Sequence, residues 1–163
     1  MLGLCGLLSL ALSGCSYSFQ TVSLPPEVNT FYVERFQNNA PINVPSLAQD
    51  FTIALQDQFI RQTRLKLDDP GADLEFSGTI TNYNVSPVNV QSDNTASQNR
   101  LTIGMTVKFV NNEVPSDSWE QSFSNFADWP QSAGSLAAVE DQLIDEITER
   151  LVQDIFNKAL GNW

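Results

Sequence analysis

Two stretches of this sequence alternate apolar and polar residues with a period of two, and that pattern limits the fold more than any other feature. In 73–83, Leu74, Phe76 and Ile80 fall on one parity, and Glu75, Ser77, Thr79 and Thr81 on the other. In 101–111, Leu101, Ile103, Met105, Val107 and Phe109 oppose Thr102, Gly104, Thr106 and Lys108. Successive side chains of a strand point to opposite sides, so alternation this regular describes a sheet buried on one face only. A slip of one residue would exchange the two faces, so the register is strongly specified. The expectation is that Thr79, Thr81, Thr102 and Thr106 face away from the core, while Ile80, Ile103, Met105 and Val107 pack into it.

Two segments have the period needed to cover the apolar face. From about Ser135 to Leu160, Leu136, Val139, Leu143, Ile147, Leu151, Ile155 and Ala159 form a continuous helical stripe, closed by Gly161. A first helix is expected from Ser46 to about Arg64, with Leu47, Phe51, Leu55 and Phe59 recurring every fourth residue. Ser46 and Gln49 have capping-box spacing, directly after Pro45. Thr30–Phe36, rich in aromatic and β-branched residues, reads as a strand, and Gln37–Val44 as an Asn/Pro loop. Asp68-Asp69-Pro70-Gly71 reads as a turn in which Gly71 is free to take positive φ. Ser118–Phe126 supplies a fourth strand carrying Trp119 and Phe123, and the Ser/Asn/Gln-rich 84–99 reads as a polar connection longer than a tight hairpin needs. The order β-α-β-β-β-α predicts an α+β domain over 29–163. It is a two-layer α/β sandwich with a four-stranded mixed sheet and both helices on one face.

The N-terminal end says where such a domain is held. Leu2 to Leu12 is apolar apart from Gly, Ser and Cys, too short for a membrane span and about the length of a signal-peptide core. Leu12-Ser13-Gly14-Cys15 closes it, an aliphatic residue and two small ones before Cys, which is the bacterial lipobox. Residues 1–14 therefore read as a lipoprotein signal peptide, Cys15 as the acylated first residue, and 15–28, with Pro25-Pro26, as an extended tether. Each buried acyl CH₂ contributes about 0.8 kcal/mol, so several chains on one Cys anchor a protein without a spanning helix. No Lys or Arg precedes the apolar run, which points to a start upstream of Met1. No acidic residue follows Cys15 closely, which leans toward the periplasmic face.

The chemistry available is narrow. There is no histidine, so the commonest general base and the commonest metal ligand are missing together, and with Cys5 leaving with the signal and Cys15 acylated neither a free thiol nor a disulfide is expected. No Walker loop, nucleophile elbow, dinucleotide fingerprint or metal-ligand spacing occurs, so neither a catalytic site, a metal nor a cofactor is expected. A net charge of −11 repels nucleic acid. Asp68, Asp69 and Asp73 do not match a calcium loop and read as an acidic turn. Asp141, Asp145 and Glu149 form an acidic stripe at i, i+4, i+8, with Glu146–Arg150 and Asp154–Lys158 at ion-pair spacing on the same helix. Arg61, Arg64 and Lys66 are the one basic cluster. They either complement the first helix's dipole or meet a phosphate.

Taken in order, several short stretches resemble one family. They are Cys15 followed by Tyr17-Ser18-Phe19, then Leu47 through Leu55 to Gln62-Thr63-Arg64-Leu65, and Asp73-Leu74-Glu75-Phe76-Ser77-Gly78-Thr79-Ile80 with Tyr83 and Pro87. Leu101-Thr102-Ile103, Val139-Glu140, Asp154-Ile155-Phe156-Asn157 and Trp163 complete the set. The pattern resembles the LptE family of lipopolysaccharide-assembly lipoproteins, in its short single-domain branch. The resemblance implies a non-enzymatic outer-membrane lipoprotein of this fold that partners the β-barrel LptD in lipopolysaccharide transport, on the periplasmic side or within the barrel lumen. The sheet's Thr79, Thr81, Thr102 and Thr106 face would be the barrel-facing surface. No basic residue is carried over from the family as a lipopolysaccharide contact. A lipid-anchored periplasmic binding or scaffold module for another envelope partner is the competing reading, and a small envelope hydrolase a distant third.

Overall fold

The computed structural model describes residues 24–88 and 97–161. Its centre is the antiparallel pair of β4 (Leu74–Val88) and β5 (Gln98–Asn111), the two stretches that alternate. β6 (Trp119–Pro130) adds antiparallel to β5, and β1 (Thr30–Val33) adds parallel to β4 on the other side. Between β1 and β4 runs α1 (Leu47–Gln62), and α2 (Leu136–Leu160) follows β6. The two helices pack against each other and over the apolar side of the sheet, giving the expected two-layer sandwich.

Among the described residues the sheet has six strands rather than four: β3 (Lys66–Leu67), β1, β4, β5 and β6 in that order, with β2 (Gln37–Asn38) also on β4. The expected strand Thr30–Phe36 breaks at Glu34, and the chain rejoins the same edge of β4 as β2 (Gln37–Asn38), inside the stretch read as a loop. Phe36 causes the break by turning its ring into the core over Gly78. A Cβ on Gly78 would lie 2.4 Å from the Phe36 ring and 2.7 Å from the Thr106 carbonyl, so only glycine admits that ring. The freed Phe36 N–H donates to Thr52 Oγ1 (3.1 Å), whose own hydroxyl donates to the Ala48 carbonyl, so this buried polar corner is satisfied from α1. β3 (Lys66–Leu67) is a two-residue parallel edge on β1, too short to leave a periodic signal.

Both ends of the 84–99 connection are strand. β4 and β5 pair out to Val88 and Gln98, and the rest of the connection, apart from Ser97, lies outside the described residues. A bulge between Ile80 and Asn82 shifts the alternation of β4, so buried positions change from even (Leu74, Phe76, Ile80) to odd (Tyr83). Tyr83 then reaches α2, donating from its hydroxyl to Glu140 Oε1 at 2.5 Å. Burial first, and Glu140 second, push that phenol well above its usual range.

α1 starts where expected, but the capping box does not form. Ser46 is itself helical in φ and ψ, makes no side-chain cap, and accepts the Asp50 N–H through its carbonyl. At the other end Thr63 leaves the helix and returns both its N–H and its hydroxyl to the Phe59 carbonyl. Gly71 has φ +101°, as its turn requires. Gly161 ends α2 in a right-handed conformation. The core is one cluster whose aromatic spine crosses both layers. Phe59 of α1 lies 5.3 Å from Phe31, 4.8 Å from Phe76 and 5.0 Å from Phe156, and the line continues from Phe76 through Phe109 and Trp119 to Phe123. No helix among the described residues is long and apolar enough to cross a membrane.

Candidate functional site

The face of the sheet away from the helices is polar because the strand alternation leaves it so. Register places Thr79 opposite Thr106, and Thr106 opposite Ser122, whose hydroxyl lies 3.2 Å from that of Thr106. Thr102 stands between Asn84 and Phe126, and the bulged Thr81 donates to the Gly104 carbonyl at 3.4 Å. Ile80, Ile103, Met105 and Val107 are all buried on the helix side. Toward β1 the hydroxyl face dips into a depression of about 250 Å³, lined by Glu34, Arg35, Ser77, Thr79, Lys108 and Glu120. Lys108 and Glu120 are cross-strand neighbours, so opposite charges face each other there.

At the hairpin end the same face carries a group that sequence pattern did not single out. Arg100 grips Asp128 with two parallel hydrogen bonds, 2.7 and 2.9 Å, and its guanidinium carbon sits 3.6 Å from the centre of the Phe126 ring. The guanidinium holds the Asp128 carboxyl below the usual carboxylate range. Arg150 of α2 donates to the Phe126 carbonyl and pairs with Glu146, so it guards the outer edge of β6. The one local hint was that Arg100 and Asp128 each flank an apolar strand residue, and only the β5–β6 register joins them.

The basic cluster does not act as a unit. Arg61 pairs with Asp57 at 3.6 Å on the exposed side of α1, and Lys66 is exposed on β3. Arg64 turns back onto the incoming chain, donating to the Leu24 and Pro25 carbonyls (3.3 and 2.6 Å) and to Asn29 Oδ1 (2.9 Å). Leu24 and Val28 are buried in the core, so the last part of the segment read as a tether is docked against the domain. Cys15 and the signal segment lie outside the described residues.

Asp73, one of the three acidic turn residues, completes this dock. Its Oδ2 accepts the N–H groups of Asn29 (2.7 Å) and Thr30 (2.9 Å), and these two bonds hold its pKa down. A depressed carboxylate contributes stability above its unfolded value of about 3.9 and loses it as pH falls through the lower folded value. Asp73→Asn should therefore cost about 1 kcal/mol at neutral pH, little enough because water reaches the group. The variant's melting temperature should also fall less steeply than the native one between neutrality and acid. Parallel melts at several pH values check this, and identical curves would remove Asp73 from the account. No group of three acidic, Cys or His side chains that could hold a metal occurs among the described residues.

The fold is thus a two-layer sandwich whose polar sheet face is left uncovered by its two helices. The family model for LptE, described as lipopolysaccharide-assembly, matches residues 28–159, and the chain belongs to that family. It is thus a lipoprotein of lipopolysaccharide assembly, in a family of assembly factors rather than enzymes. Among solved structures, the fold is similar to a minor lipoprotein from Acinetobacter baumannii (TM-score 0.54, 10% identity, covering 82% of this chain and 94% of that one). It is also similar to the hypothetical protein CT253 from Chlamydia trachomatis (TM-score 0.54, 7% identity, 82% and 99% covered). A third is an uncharacterized lipoprotein B from Nitrosomonas europaea (TM-score 0.51, 15% identity, 87% of each chain covered). At these identities the likeness is one of fold. No curated protein matches the chain.

Proposed function

We propose that this protein is the lipid-anchored partner of an LptD-type β-barrel, held at the outer membrane through Cys15 and seated with its hydroxyl-rich sheet face against the polar interior of the barrel. The observation that carries the reading is that face itself. It is broad, formed by regular strands, rich in Thr, Ser and Asn, and left uncovered by either helix. The lumen of an outer-membrane barrel is polar, and a wettable surface matches it without needing an apolar interface. Affinity purification of the tagged protein from outer membranes in mild detergent should bring down a large β-barrel. Cys15→Ala should leave unprocessed or soluble protein, and labelled fatty acid should enter only the native chain. A lipidated protein that recovers a different envelope partner and no barrel would instead make it a scaffold module.

Lipopolysaccharide contact, on this reading, falls within the basic cluster on Arg61 and Lys66, because Arg64 is committed to the docked arm. Reversing the charge of both should weaken lipopolysaccharide binding in a pull-down while melts stay unchanged. Equal binding would leave Arg61 as a helix-end charge only.

A further inference from the structure

We infer that the outer edge of β6, from Glu120 to Ser124, accepts an added strand: an extended segment of a partner protein that carries a cationic side chain toward the helix layer. Among the described residues β6 pairs with β5 alone, so one side of its backbone faces outward. In an antiparallel strand the N–H and C=O of one residue point to the same side, and that side alternates along the chain. Phe126 fixes the parity. Its N–H donates to Asn125 Oδ1 (2.9 Å) and its carbonyl accepts from Arg150 (2.7 Å), neither of which belongs to β5. Glu120, Ser122 and Ser124 share the parity of Phe126, and no hydrogen bond among the described residues reaches their outward backbone groups. Pro130, of the same parity, has no N–H to offer.

The edge is therefore closed at one end and open at the other. Asn125, Arg150 and Pro130 obstruct pairing beyond Ser124, whereas Glu120, Ser122 and Ser124 keep their outward groups in line along a regular strand. Such a row is a template for strand addition, with affinity from main-chain bonds and selectivity from alternate side chains. The surroundings specify the occupant. Between this edge and α2 lies a depression of about 440 Å³, lined by Asn125, Glu149, Arg150, Gln153 and Asp154. Arg150 is committed to Glu146 and the Phe126 carbonyl, while Asp154 meets Asn125 only at 3.4 Å. A Lys or Arg on the helix-facing parity of the added strand fits there. On the other parity the occupant lies beside Ser122, already joined to Thr106, so Ser or Thr would continue that line of hydroxyls. A second copy fits less well, because each chain carries −11 and would bring its carboxylates against the same carboxylates.

The probe is a fluorescent peptide of about eight residues that alternates Thr with Val and carries one Lys on the Val parity, read by anisotropy at physiological salt. Ser124→Pro removes an outward N–H that bonds nothing within the fold, so it should weaken binding at least about tenfold while keeping a near-native melt. Ser124→Ala, which leaves the backbone intact, should bind as the native chain does. Glu149→Lys with Asp154→Lys should weaken the Lys peptide and leave a version with Val in place of Lys unchanged. Amide exchange gives a reading that needs no variant. In the protein alone, the N–H groups of Glu120, Ser122 and Ser124 should exchange faster than those of Gln121 and Phe123, and saturating peptide should slow the first three at least about tenfold. Three results overturn the assignment: no slowing at those amides, native binding by a Ser124→Pro protein with a native melt, or equal binding of a peptide with Pro at alternate positions. Self-association that Ser124→Pro abolishes would overturn the choice of occupant in favour of a second copy. The sheet-face reading is tested separately, since these backbone groups lie in the plane of the sheet and not on its face.

Discussion

Replacing Phe59 by alanine is expected to cost about 3–5 kcal/mol, a large share of the stability of a domain this size. Phe59 is fully buried and touches Phe31 of β1, Phe76 of β4 and Phe156 of α2, so it joins both helices to the sheet. Its removal leaves a cavity walled by three other rings, which cannot all collapse inward because they sit on three separate elements. Conservative truncation separates this from a general loss of hydrophobicity: Phe59→Leu keeps most of the volume and should cost clearly less. Denaturant melts of both variants measure the difference. A Phe59→Ala protein within about 1 kcal/mol of native would mean that the aromatic spine does not hold the layers together.

Met105→Asp should be comparably damaging, whereas charged residues on the opposite face of the same strand should not. Met105 is buried between Ile80 and Phe123, and an aspartate there would be an unpaired charge in the core, costing several kcal/mol. Thr102 and Thr106, its neighbours on β5, are only half-buried on the polar face. Thr102→Glu with Thr106→Lys should move stability by less than about 0.5 kcal/mol each. The same substitutions should break a complex with a barrel that seats against that face. Thermal melts and barrel pull-downs on the two sets separate folding from docking. A Thr-face variant that unfolds, or one that still binds the barrel, defeats the docking proposal.

The parts legible from the residues alone are those whose signal is repeated along the chain. Alternation in 73–83 and 101–111 marked the sheet and its buried parity, and the stripes from Leu47 and from Leu136 marked the helices that cover it. Those patterns are local, and burial of one face is enough to enforce them. Whatever depends on two distant residues meeting, or on segments too short to repeat, became visible only in the folded chain. β2 and β3 have two residues each, and only pairing with β4 and β1 makes them strands. The bulge at Thr81 changed which parity of β4 is buried, a shift that composition cannot show because Tyr83 and Ile80 are both apolar. Arg64 read as one of three equivalent cations until the fold brought the Leu24 and Pro25 carbonyls to its guanidinium. Asp73 read as part of an acidic turn, yet it binds backbone 43 and 44 residues earlier in the chain. Arg100, Phe126 and Asp128 form a site only through the β5–β6 register, because a hydrogen bond or a ring contact needs a distance, and sequence spacing supplies none across a hairpin.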